Sequence, residues 1–132
     1  MRRLSSFAAA ILLIAATPAP AQDARPSEVI NEIVSGMPKA DRQEVRVLTA
    51  TIQPGGKTPS HTHRFPVTTY VVEGTFTLEL EGRPTVVARA GGSFVEPPNV
   101  RVTGYNKSKT EPARVVVFYV SDVDTPFLDL AH

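Results

Sequence analysis

From Glu44 onward, apolar and polar positions alternate in short runs that glycine and proline interrupt. The clearest run extends from Thr75 to Glu81, where every second side chain is apolar, and this period of two predicts a half-buried strand. Further runs rich in β-branched and aromatic residues predict strands over residues 45–52, 67–73, 85–88, 93–96, 100–105 and 115–120. About seven or eight short strands separated by turn signals are typical of an all-β sandwich or barrel.

The two ends of the β region carry weaker patterns. Ser27 can cap a short helix that would run to Val34 and end at Gly36, so we assign residues 22–43 to an N-terminal segment with a short helix or strand. We assign residues 44–121 to the barrel and residues 122–132, which show no clear period, to a C-terminal tail. Within the barrel, the continuous apolar run 115–120 predicts a strand buried on both faces.

The first 21 residues have the layout of a secretory signal peptide. The basic pair Arg2-Arg3 precedes an uncharged apolar run over residues 4–16, and Ala19-Pro20-Ala21 supplies the small residues of a cleavage site before Gln22. The apolar run is shorter than the roughly 20 residues that span a bilayer. We therefore expect cleavage, a periplasmic or secreted mature protein, and no membrane association after cleavage.

Charge and cysteine content exclude several classes of partner and modification. Without the first 21 residues the chain has 12 basic and 13 acidic residues and no basic run, so nucleic acid is not an expected partner. The chain has no cysteine, which excludes disulfides and a lipid-anchored lipoprotein. A mature chain of this length is expected to form one compact domain with one core.

Two groups of residues resemble the two motifs of the cupin superfamily. The first motif is Gly, five residues, His-x-His, three or four residues, Glu, six residues, Gly, and it is matched by Gly55, His61, His63 and Gly74. The second is Gly, five residues, Pro-x-Gly, two residues, His, three residues, Asn, and it is matched by Gly91, Pro97 and Asn106. This resemblance to small single-domain, RmlC-like cupins covers residues 45–120 and implies a double-stranded β-helix, that is, a jelly-roll barrel. It also implies a homodimer, for which residues 27–34 are the candidate segment to pack on the partner's sheet.

The resemblance implies a metal site in the barrel, but this chain departs from the family's ligand set. The Glu position of the first motif is Val67, the His position of the second is Val102, and the second motif's Gly is Asn99. The remaining pair, His61 and His63, lies at i and i+2, and on an extended segment such residues point to one face. Imidazole suits Zn, Cu, Fe and Ni. We expect a divalent transition metal (Fe, Mn, Ni, Zn or Cu) that is weakly held or absent.

Three functional hypotheses stay open at this point. In the first, the barrel binds a small molecule in its cavity, with His61, His63 and Thr69 as polar contacts and with Val67 and Val102 making the cavity more apolar. In the second, the protein is a metal-dependent enzyme of the dioxygenase or isomerase type with a two-His site. In the third, the barrel is structural or oligomeric and not catalytic.

Glu96 precedes Pro97 at the end of a predicted strand. We interpret it as a solvated strand end rather than as a functional acid at the barrel mouth.

Overall fold

A computed structural model describes residues 23–131, which contain nine β-strands and no helix. The strands are β1 (Gln43–Ile52), β2 (His61–Thr62), β3 (Val67–Glu73), β4 (Thr75–Leu80), β5 (Val86–Arg89), β6 (Ser93–Glu96), β7 (Val102–Tyr105), β8 (Ala113–Asp122) and β9 (Asp129–Leu130). Nothing in this range is a helix long and apolar enough to cross a membrane. The predicted signal peptide lies outside the described residues, as does His132.

The strands form two antiparallel sheets. The first sheet has the order β1-β8-β3-β6, and the second has the order β5-β4-β7-β2-β9. The inner faces of both sheets contribute to one buried apolar cluster: Ile52, Val67, Val71, Phe76, Leu78, Ala88, Phe94, Val102, Val115, Val117 and Tyr119. The prediction of an all-β jelly-roll barrel is confirmed.

Strand β8 differs from the prediction that it would be buried on both faces. Its burial alternates along its whole length, with Val115, Val117 and Tyr119 buried and Phe118 exposed. The reason is its place in the first sheet, where one face meets the core and no layer of the described chain covers the whole of the other. The continuous apolar run over residues 115–120 therefore arises because the outer face of β8 is also apolar, although that face is not fully buried.

The N-terminal segment also differs from the prediction, because the expected helix over residues 27–34 is absent. The segment is irregular, and Ile33 is fully exposed. Ile30 and Val34 are only half-buried, beside Phe118 and Val120 on the outer face of the first sheet. A single short turn of helix has little stability in water without an apolar face to bury, which explains the failed prediction.

Two motif positions are set by backbone geometry. Gly74 joins β3 to β4 with a φ of 73°, and a side chain there would collide with the carbonyl of Pro112. Asn99, which replaces the motif's glycine, also has a positive φ of 59°, a conformation that asparagine tolerates better than most residues. The backbone N–H of Asn99 donates a hydrogen bond to the backbone carbonyl of His63 at 2.7 Å, so this turn is attached directly to the histidine pair.

Gly104 on β7 leaves space for the ring of Phe76, and a Cβ atom there would overlap that ring. We expect Gly104→Ala to lower the free energy of unfolding by about 1–3 kcal/mol, as overpacked core sites do. Chemical denaturation of Gly104→Ala, Phe76→Leu and the double variant tests this. The two costs should be less than additive, because the smaller side chain at 76 makes room for the new methyl group. Fully additive costs would contradict the steric explanation.

Candidate metal centre

His61 lies on the short strand β2, inside the second sheet, and His63 follows directly after the end of that strand. His61 pairs with Val102 of β7 on one side and with Leu130 of β9 on the other. Both imidazoles are buried, and their Nε2 atoms lie 3.1 Å apart with the rings nearly perpendicular. The i, i+2 spacing therefore brings the two side chains to one point of the barrel interior.

Backbone carbonyls orient both rings. The Nδ1 of His61 lies 2.6 Å from the carbonyl oxygen of Pro59, and the Nδ1 of His63 lies 2.6 Å from that of Phe127. A carbonyl oxygen can only accept a hydrogen bond, so each Nδ1 must carry the proton. In the neutral rings, each Nε2 then presents a lone pair to the centre of the site.

Glu96 supplies a carboxylate to the same point. It ends β6, directly opposite Val67 of β3, and its Oε2 lies 3.4 Å from the Nε2 of His63. Its Oε1 accepts a hydrogen bond from the hydroxyl of Thr69 at 3.1 Å. Ligand atoms of His61, His63 and Glu96 all lie within 4.8 Å of one another, so the three buried side chains form a group that could hold a metal ion.

The interpretation of Glu96 as a solvated strand end was wrong, because only 6% of the residue is exposed. The sequence did contain a signal. Phe94 and Glu96 are two residues apart on one strand, so a buried Phe94 places Glu96 on the inner face as well. The cross-strand pairing with Val67 was not visible in the sequence, and it puts a carboxylate beside the position from which the motif's glutamate is missing.

The other residues of the predicted site separate into two groups. Thr69 is buried and lines the cavity beside the histidines, where its hydroxyl is engaged by Glu96. Val67 and Val102 are also fully buried, but they lie in the apolar core and not among the residues that line this cavity. Ligand contact by these two valines stays a prediction.

A cavity of about 200 Å³ adjoins the three candidate ligands. Its wall combines side chains from both sheets with the C-terminal residues Phe127 and Leu128. The three candidate ligands thus border a cavity in which a small molecule has room beside them. This is the arrangement expected of a small-molecule site, in which a few polar groups converge in a mainly apolar pocket.

The C-terminal segment, which showed no period in the sequence, holds one side of the site. The Phe127 ring lies 4.8 Å from the His63 ring and 5.5 Å from the ring of Tyr119, measured between centroids. Burial raises the pKa of the Tyr119 phenol, which therefore stays protonated at neutral pH. Outside the barrel, Arg64 donates two hydrogen bonds to Asp129, at 2.8 and 3.1 Å, and so joins the segment to the residue after His63.

Comparison with known proteins finds a family model that covers the three candidate ligands but not Phe127 and Leu128, which also line the site. The family profile described as Cupin domain matches residues 48–119, more than half of the chain. No curated protein matches the chain.

Three solved structures are similar in fold. A cupin-like protein from Thermotoga maritima is 20% identical, with a TM-score of 0.58 over 66% of this chain and 64% of that one. A DMSP lyase from Ruegeria pomeroyi is 17% identical, with a TM-score of 0.58 over 66% of this chain and 43% of that one. An oxalate oxidase is 27% identical, with a TM-score of 0.50 over 60% of this chain and 46% of that one. This chain therefore covers less than two thirds of the length of each of these proteins.

The Arg64–Asp129 ion pair should make the stability of the folded state depend on pH. The hydrogen bonds and charge of Arg64 lower the pKa of the Asp129 carboxyl below its ordinary value. The pair therefore stabilises the folded state at neutral pH, and this contribution is lost as the pH falls through the lowered pKa. In Arg64→Gln the pKa of Asp129 should rise, as measured by NMR titration of the carboxyl carbon. Arg101→Gln, which removes the partner of Glu81, is the matched control and should leave it unchanged. An unshifted Asp129 in Arg64→Gln would contradict the assignment.

Proposed function

The chain belongs to the cupin domain family, and we propose that it is a metal-dependent cupin in which His61, His63 and Glu96 hold one divalent transition-metal ion. The observation that carries the proposal is the pair of Nε2 atoms 3.1 Å apart, with both Nδ1 atoms already bonded to carbonyls. Three protein ligands are the usual number in a catalytic metal site that keeps a position open for substrate.

The electrostatics of the buried cluster support a bound cation. Two lone pairs and a carboxylate face one another where little water is available to separate them. Such a group repels itself unless a proton or a metal ion lies between the donors, because buried charges need a partner. A divalent ion can bind both Nε2 lone pairs and the carboxylate at once. A single proton shared by His61 and His63 would leave the carboxylate charge with only the hydrogen bond from Thr69.

The donor set also favours particular metals. Two histidines and one carboxylate with open positions are the ligands typical of non-haem Fe(II) sites. We therefore place Fe(II) first, ahead of Mn, Ni, Zn and Cu. When bound, such an ion would supply Lewis-acid or oxygen-activating chemistry.

The chain's own residues prepare this site in three ways. The carbonyls of Pro59 and Phe127 direct both Nε2 atoms inward, as outer hydrogen-bond partners of metal-binding histidines commonly do. Thr69 holds one oxygen of Glu96 and leaves the other directed at His63. The apolar wall limits access of water, which strengthens electrostatic interactions inside.

We leave the reaction at the level of a metal-dependent enzyme acting on a small organic molecule, of the dioxygenase or isomerase type. The lyase and oxidase activities of the similar structures belong to proteins of which this chain covers less than half. A second candidate function is binding of a small molecule without turnover, and the observation that favours it is the apolar cavity itself. We also propose export to the periplasm or beyond, on the pattern of residues 1–21.

Metal uptake tests the proposal directly. The full mature chain, stripped with a chelator and loaded with Fe(II) without oxygen, should bind about one ion per chain by mass spectrometry. Glu96→Gln and His61→Ala should each weaken binding at least about tenfold, because each removes a ligand. Glu81→Gln, an exposed carboxylate on the outside of the barrel, is the control and should bind as the native chain does. Equal binding by Glu96→Gln and Glu81→Gln would show that Glu96 is not a ligand, and no uptake by the native chain would overturn the proposal.

We further propose that the protein is a homodimer. Two features of the described residues support a second copy: β1 has a strand partner on one side only, and Val45 and Val47 project from it into solvent. Long, apolar edge strands are commonly paired or covered. Light scattering of the mature protein should give about twice the mass of one chain, and Val47→Lys should lower that mass toward the monomer. A native monomer would contradict the proposal.

A further inference from the structure

The cavity beside the candidate metal ligands is poor in groups that could bind a polar molecule. Apart from the three ligands, its polar side chains are Thr58 and Thr69. The Thr58 hydroxyl accepts a hydrogen bond from the amide of Gly104 at 2.9 Å, and the Thr69 hydroxyl donates to Glu96. The Thr69 proton is thus engaged, and the Thr58 hydroxyl keeps one O–H that could donate to a ligand, but neither side chain carries a charge.

The rest of the wall is apolar, with branched and aromatic side chains from both sheets and from the C-terminal segment. Its main members are Ile52, Phe76, Leu78, Val115, Val117 and Phe127. No lysine, arginine or aspartate is among the described residues that line it. A charged group of a ligand inside the cavity would therefore find a partner of opposite charge only at the metal centre.

The cavity's size limits the ligand. A cavity of about 150 Å³ in another protein holds benzene, so the volume of about 200 Å³ here suits roughly six to nine non-hydrogen atoms.

The cavity opens beside β1. Ala50 belongs to the inward-facing row of β1 with Ile52, yet Ala50 is exposed whereas Ile52 is buried. An inward-facing residue can be exposed only where the interior meets solvent. Phe127 and Leu128, both half-buried, also line the cavity. Ala50 is therefore a position from which a larger side chain can fill the cavity without displacing the buried core.

The charge of the centre selects the group that binds the metal. Two neutral imidazoles and one carboxylate around a divalent ion leave a net charge of +1, which one anionic oxygen group neutralises. A second anionic group inside the cavity would have to be buried against the apolar wall without a partner of opposite charge, which is unfavourable. A cationic group would meet the same cost, because the one carboxylate is engaged at the centre.

We propose that this cavity takes a small organic acid with a single acidic oxygen group, bound at the metal, and a compact uncharged body. Short-chain aliphatic and monocyclic aromatic acids are of the right size and charge. The wall disfavours acids whose second charged group would lie inside the cavity, away from its opening beside Ala50. This inference rests on the proposed metal centre, and it names the substrate class of that site.

Isothermal titration calorimetry of the zinc-loaded mature protein tests this substrate class by measuring binding, without relying on turnover. Zinc is used because it has no redox chemistry. Pentanoate and glutarate are the probes, since they share a five-carbon chain and differ in one terminal carboxylate. We expect pentanoate to bind, and glutarate to bind at least about tenfold more weakly, because its second charge loses water without gaining a partner.

Two variants on the same strand separate the cavity from the outer surface. Ala50→Phe places an aromatic ring inside the cavity, whereas Thr49→Phe places the same ring on the exposed outer face of β1. Pentanoate affinity should fall about tenfold or more in Ala50→Phe and change less than about twofold in Thr49→Phe. The zinc content and melting temperature of both variants should match those of the native protein, which shows that the centre and the fold are intact.

The possible failures are distinguishable. Two results would overturn the substrate class while supporting the metal centre. Both require full zinc occupancy: in one, glutarate binds as tightly as pentanoate, and in the other, Ala50→Phe does not weaken pentanoate binding. If Ala50→Phe loses zinc or stability, the substrate class is tested by the comparison of pentanoate with glutarate on the native protein. Failure of the native chain to take up zinc or Fe(II) overturns the metal centre, and with it the acid-binding site.

Discussion

The antiparallel register between β3 and β6 is the constraint on which the site depends. It sets Val67 opposite Glu96 and Thr69 opposite Phe94, so all four side chains lie on the inner face of the first sheet. Side chains alternate between faces along a strand, so a slip of one residue in β6 would turn Glu96 to solvent and Val95 inward. The same pairing that closes the apolar core therefore also brings the carboxylate to the histidines.

The centre joins parts of the chain that are far apart in sequence. His61 lies on β2 and His63 directly after it, the carboxylate ends β6, and the carbonyl that orients His63 belongs to Phe127. Each histidine ring is fixed by a main-chain oxygen, and only the carboxylate depends on a side chain, that of Thr69. Main-chain anchors are set by the fold itself, so the direction of both Nε2 atoms follows from the barrel once it has formed.

The departures from the family's motifs have a consistent physical reading. With Val67 in place of the motif's glutamate, the inner face of β3 is apolar there, and the carboxylate comes instead from the neighbouring strand, two residues after Phe94. With Val102 in place of the second motif's histidine, His61 faces an apolar cross-strand partner. The outcome is a centre with three candidate ligands at the border of an apolar cavity, rather than one with half of its ligands missing.

The sequence by itself determined seven of the nine strands, because a period of two and the glycine and proline breaks are local properties; the two-residue strands β2 and β9 are too short to show a period. The bounds of β3 and β6 agree with the pattern, and the motif spacing indicated the barrel. It also placed His61 and His63 on one face, since two residues on one extended segment need no partner strand to be aligned. Tertiary structure alone decided the role of Glu96, the use of Phe127 and the irregular course of residues 27–34. The first two depend on what lies opposite a residue across the barrel, and contacts between distant segments leave no local period in the sequence. The third depends on how the segment lies against the outer face of the first sheet.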